Sequence, residues 1–131
     1  MSYPDWQHDV EKFHQKFDIT RPWIPQPPTI EDAVARCMLL VKKVGELIAT
    51  MDAEDMVGVS ENIVDLIYLA VGTARVYGLD LEPLWEEIHT TNMAKIATSS
   101  YKVAKPMGWI PPRVRELLLE QGWEPPGSEE D

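Results

Sequence analysis

The chain has 131 residues, a hydrophobic share of 44% and a formal net charge of −10 at pH 7. This length suits one domain around one core, and the hydrophobic share argues against a disordered chain. The negative charge disfavours non-specific binding to DNA or RNA, which depends on Lys and Arg neutralising phosphates, but a local group of lysines can still hold a small phosphorylated ligand.

Helix one is expected over about Asp5 to Phe17, where Trp6, Val10, Phe13 and Phe17 recur on one face. Arg21 to Pro28 holds four prolines within seven residues, which forbids a helix and favours an extended arm. A solvated linker is the plain reading of that arm; Trp23 and Ile24 favour an arm packed on the body. Helix two opens on Thr29 as N-cap, with Glu31 and Asp32 in its first turn. Its apolar stripe is read as Ile30, Val34, Cys37, Met38, Val41, Val44, Ile48 and Met51. Helix three carries Val59 to Tyr77 and closes at Gly78; apolar residues on several faces predict that it is buried nearly all round. Helix four starts near Pro83, with Leu84, Trp85, Ile88 and Ile96 as its core stripe. After a loop with Pro106, Gly108, Pro111 and Pro112, a short helix runs from about Arg113 to Gln121.

No strand-like alternation or internal repeat is evident, so the fold class is all-α with four main helices. Residues 1–123 are expected to form the single domain and residues 124–131 an acidic tail. No apolar run is expected to reach bilayer length, and Met1 to Trp6 lacks the pattern of a signal peptide. The lone Cys37 is read as a buried thiol. These readings point to the cytoplasm, with no membrane partner.

The motifs, taken in order, resemble the MazG-like all-α nucleoside triphosphate pyrophosphohydrolases, a superfamily that includes phosphoribosyl-ATP pyrophosphohydrolase. Phe13-His14-Gln15-Lys16-Phe17 is similar to the Phe-His-x-x-Phe opening of phage and bacterial members, and Arg36 stands where members often carry an arginine. Lys42-Lys43-Val44-Gly45-Glu46 aligns with Glu-Glu-x-x-Glu, and Asn62-Ile63-Val64-Asp65 with Glu-x-x-Asp. Asp65 to Tyr68, Val71 to Ala74, Tyr77 to Asp80, His89 to Lys95 and Lys105 to Trp109 are similar to the later motifs. The resemblance implies a four-helix MazG-like bundle, with the Pro-rich arm before it and a C-terminal extension after it. Active members hold Mg²⁺ on acids of the two central helices, and an activated water cleaves between the α and β phosphates.

At the five matching positions this chain has Lys42, Lys43, Glu46, Asn62 and Asp65, whose formal charges sum to zero. A like charge at ~4 Å costs roughly 4 kcal/mol at an effective dielectric of about 20, enough to oppose a dication. Ordinary two-motif metal catalysis is therefore not expected, and neither is a cofactor. An active enzyme would need Glu46, Glu61 and Asp65 as a reduced Mg²⁺ set. For Lys42, Lys43 and Glu46 a solvated ion pair and a ligand-facing role both remain open. Asp65, read as buried, needs a partner; a lysine facing it would replace metal charge by ammonium charge. By resemblance Asn92 and Lys95 would meet phosphate or sugar, and Tyr101, Lys105 and Trp109 would close over a base. Helix-end capping and simple packing are the alternatives for these residues.

Three functions follow as expectations. The first is a binder of a nucleotide or nucleotide-like signal without efficient hydrolysis, with a phage-type sequestering role as one use. The second is an active Mg²⁺-dependent pyrophosphohydrolase releasing a nucleoside monophosphate and pyrophosphate, and the third is a structural or interaction protein. A homodimer or homotetramer is expected, because one protomer cannot cover helix three.

Overall fold

The computed structural model describes residues 5–99 and 102–127. Five helices and one short hairpin follow one another: α1 (Trp6–Lys16), α2 (Ile30–Asp52), α3 (Met56–Val76), α4 (Leu81–Met93), β1 (Ile96–Ser99), β2 (Lys102–Ala104) and α5 (Val114–Glu120). Each of the four longer helices begins where a side-chain oxygen accepts a free backbone N–H. Asp5 takes the N–H of His8, Thr29 that of Asp32, Asp55 that of Gly58 and Asp80 that of Glu82. The all-α class holds, with α5 added to the four main helices.

α2 and α3 form an antiparallel pair with the most extensive contact in the molecule, and α1 lies against α3. The core sits where α1 meets the second half of α3: Val10 and His14 from one side, Val71, Gly72, Ala74 and Val76 from the other. A side chain at position 72 would press on Arg36 and His14, so glycine lets all three elements approach. Glu11 accepts from Arg21 at 2.8 Å and also pairs with Arg75, tying α1 to the arm and to α3.

The arm packs through Pro25, which is buried, and through Gln26, whose N–H donates to the Tyr77 carbonyl at 3.0 Å. Trp23 does not serve that packing: it is 85% exposed, with the Arg21 guanidinium 4.6 Å from its ring centre. Gly78 closes α3 at φ 72°, and a Cβ there would collide with the Ile24 carbonyl. α4 packs on α5, where Gln121 exchanges two hydrogen bonds of 2.9 Å with the Asp80 backbone.

Several expectations change. The stripe from Ile30 to Met51 faces outward: Val41 is 73% exposed and Ile48 60%. Cys37 lies on this side and is exposed, not buried. The face turned to α3 carries Lys43 and Thr50 instead, both bonded across to it. Apolar periodicity defines a stripe on a helix but not the neighbour that covers it.

α3 is likewise not buried all round, with Val64 61% and Ile63 45% exposed. By length and composition, with a mean hydropathy of 1.3 over its most apolar window, α3 could cross a bilayer, contrary to expectation. It nevertheless carries Glu61, Asp65 and Arg75, charges that a bilayer disfavours, and it packs between α1 and α2. Ile96 belongs to β1 rather than to α4, which ends at Met93. The hairpin pairs Ile96 with Ala104 and Ala97 with Val103; its strands are too short for alternation to show in sequence. Of the acidic tail, residues 128–131 lie outside the described residues.

Gly78→Ala is expected to destabilise the fold by at least ~2 kcal/mol, the sum of a strained left-handed conformation and a displaced arm. Chemical denaturation would read this as a lower midpoint with an unchanged slope.

Candidate functional site

Residues 43 and 46 stand one turn apart on α2, and 62, 65, 68 and 69 follow one face of α3. The short link between the helices brings these two faces together. Asn62, buried, donates from Nδ2 to Thr50 Oγ1 at 3.3 Å, and Thr50 in turn donates to the Leu47 carbonyl at 2.8 Å. That anchor points Asn62 Oδ1 at Lys43 Nζ, 3.5 Å away.

Lys43 is the hub. Its Nζ donates to Glu46 Oε2 at 2.8 Å and to Asp65 Oδ2 at 3.1 Å, with only 19% of the side chain exposed. The hydrogen bond to Glu46 first, then that to Asp65, pushes the ammonium above the usual lysine range. The same Lys43 contact draws Glu46 below the usual carboxylate range. Both groups are charged at neutral pH, and each satisfies the other. Lys42 differs: its side chain is 75% exposed and its Nζ lies 4.0 Å from Glu46.

Around them is a pocket of about 510 Å³. Lys42, Lys43, Glu46 and Asp65 form its polar part; Phe13, Leu39, Tyr68 and Leu69 form the rest. The Phe13 and Tyr68 rings meet edge to face, 5.4 Å apart at 86°.

The structure therefore brings Lys42, Lys43, Glu46, Asn62 and Asp65 into one place. It also corrects Asp65, whose side chain is 56% exposed rather than buried. Glu61 is exposed and does not line the pocket. A second group forms elsewhere: Trp109 Nε1 donates to the Thr91 carbonyl at 2.8 Å, while Lys95 and Lys105 lie 5.4 and 4.9 Å from the Trp109 ring centre. Asn92 is exposed, and none of these four residues lines the Lys43 pocket. Tyr101 lies outside the described residues.

Phe13, Leu39, Thr50, Tyr68 and Leu69 are the site residues that sequence reasoning missed. Tyr68 was detectable, since it follows Asp65 by one turn on the same face of α3. Phe13 belongs to a motif and to one apolar face of α1 in the sequence reading, and it is 42% exposed.

The Mg²⁺ that the resemblance implies does not fit this donor set. Glu46 and Asp65 already hold an ammonium, and among the described residues no three His, Cys, Asp or Glu side chains gather as a metal site. A dication would have to displace Lys43 and then bind beside it. The combined variant Lys42→Glu, Lys43→Glu, Asn62→Glu restores five carboxylates. It is expected to gain a Mg²⁺-dependent rise in melting temperature at millimolar magnesium, with the parent chain showing none.

Comparison with protein families gives a match over the helical body. The phosphoribosyl-ATP pyrophosphohydrolase model matches residues 10–92, more than half of the chain. No curated protein matches the chain. The matched span runs from within α1 to near the end of α4 and includes the whole Lys43 site, while Lys95, Lys105 and Trp109 lie beyond it. By that match and its helical architecture, the chain belongs to the phosphoribosyl-ATP pyrophosphohydrolase family, within the MazG-like all-α superfamily.

Proposed function

We propose that this chain binds a nucleotide or nucleotide-like phosphorylated molecule without efficient hydrolysis. The observation that carries the reading is Lys43 Nζ held by Glu46 and Asp65 at 2.8 and 3.1 Å. That ammonium stands where a metal would and balances charge on the two carboxylates, so the pocket can meet a phosphate oxygen through a second lysine without a metal. It does not bridge phosphate oxygens with two charges or lower the pKa of a bound water as a metal does. The exposed Lys42 supplies that contact, and sequestering a ligand would be a use for such a site.

Thermal denaturation with a nucleotide panel, with and without Mg²⁺ or Mn²⁺, tests this. Stabilisation without metal is expected, together with no pyrophosphate release. Lys42→Ala is expected to weaken binding about tenfold, the size of one charge-assisted contact. Metal-dependent pyrophosphate release would instead establish the pyrophosphohydrolase reading, and the absence of both responses would leave a structural or interaction protein.

The protomer is also proposed to associate with itself. The outward stripe of α2, with Met38, Val41, Ile48 and Met51 each at least 60% exposed, is continuous over several turns. Exposed apolar surface of this kind marks an interface. Val41→Glu with Ile48→Glu is expected to convert a dimer or tetramer to monomer in light scattering, with helical content retained.

A further inference from the structure

We infer that the Lys43 pocket is matched to a nucleotide bearing a single negative charge, of the cyclic phosphodiester class, rather than to a triphosphate. This rests on the nucleotide-binding reading above and narrows it.

The inference comes from counting charges that are free to act. The four charged side chains lining the pocket are Lys42, Lys43, Glu46 and Asp65, which sum to zero. Lys43 is committed twice over, to Glu46 at 2.8 Å and to Asp65 at 3.1 Å. Among the described residues, Lys42 is the one lining cation whose ammonium projects into solvent, at 75% side-chain exposure and 4.0 Å from its nearest carboxylate oxygen. One free ammonium neutralises one phosphate charge. The remaining charges of a triphosphate would face Glu46, Asp65 and a protein of net charge −10. Magnesium commonly relieves such repulsion, but its oxygen ligands here are engaged by Lys43.

The rest of the pocket agrees. Its volume of about 510 Å³ lies within the range of small-molecule sites. Phe13 and Tyr68, 42% and 37% exposed, offer ring surface a few residues from the charged end. A planar base on Tyr68 would bury apolar surface on the aromatic corner while a phosphodiester reaches Lys42. A phosphodiester keeps a single charge across the physiological pH range, which suits a site whose described lining holds no further exposed cation.

Calorimetry on the full chain in EDTA would compare 3′,5′-cyclic, 5′-mono- and 5′-triphosphate forms of adenosine and guanosine. For at least one base, the cyclic form is expected to bind about tenfold or more tightly than its triphosphate. Lys42→Ala should reduce that affinity about tenfold. Tyr68→Ala should weaken it while Tyr68→Phe retains it, and circular dichroism would confirm that each variant is folded. A triphosphate that binds as tightly as the cyclic form overturns the charge assignment but leaves nucleotide binding intact. Unchanged affinity in folded Lys42→Ala or Tyr68→Ala also overturns it. No binding by any form overturns this inference together with the reading beneath it.

Discussion

An ammonium group clasped by two carboxylates, one from each of two packed helices, is the interaction on which the site's chemistry depends. Lys43 of α2 meets Glu46 one turn on and Asp65 across the seam. As a source of stability the cluster is modest, because Glu46 and Asp65 remain 40% and 56% exposed and water screens such pairs. As a constraint it is strong. It fixes the charge of the pocket, occupies the carboxylates and leaves the Lys42 ammonium exposed, 4.0 Å from Glu46.

The scaffold that presents this cluster is held from the opposite end of α3. There Glu11 bonds both Arg21 and Arg75, and His14 lies against Gly72 with Arg36 at 3.5 Å. Burial pushes Glu11 up, but its contacts with the two arginines outweigh this and leave it below the ordinary range. Burial first, and the Arg36 charge second, hold the His14 imidazole below its usual value. A neutral ring suits the Arg36 contact, since its Nε2 can then accept from the guanidinium. These groups hold α1 against α3 at its C-terminal half, so Phe13, one residue before His14, is carried to the pocket wall. The polar core and the pocket are thus two consequences of one helix crossing.

What the sequence disclosed was local. Thr29 as a cap, Gly78 as a stop and the helical class all rest on short-range stereochemistry, and the structure has them. The charges at positions 42, 43, 46 and 65 were also legible, since they need only residue identity and helical spacing. What was hidden depends on partners. The α2 stripe reads as core because it is apolar, yet α3 covers the opposite side of α2. Asp65 reads as buried because its sequence neighbours are apolar, yet those neighbours lie on other faces of the same helix. Thr50 had no signal at all: its role exists only because Asn62 is brought across to it at 3.3 Å.

Membership of a pyrophosphohydrolase family establishes the scaffold of this chain more firmly than the chemistry done on it. A backbone that brings acids together for a dication can, with three substitutions on two helices, bring together an ammonium and its counter-ions instead. The geometry survives such a change because Lys43 restores a positive centre between the carboxylates that would otherwise repel one another. An ammonium differs from a metal in having neither vacant coordination positions nor a bound water to activate, which is the chemical ground of the binding proposal.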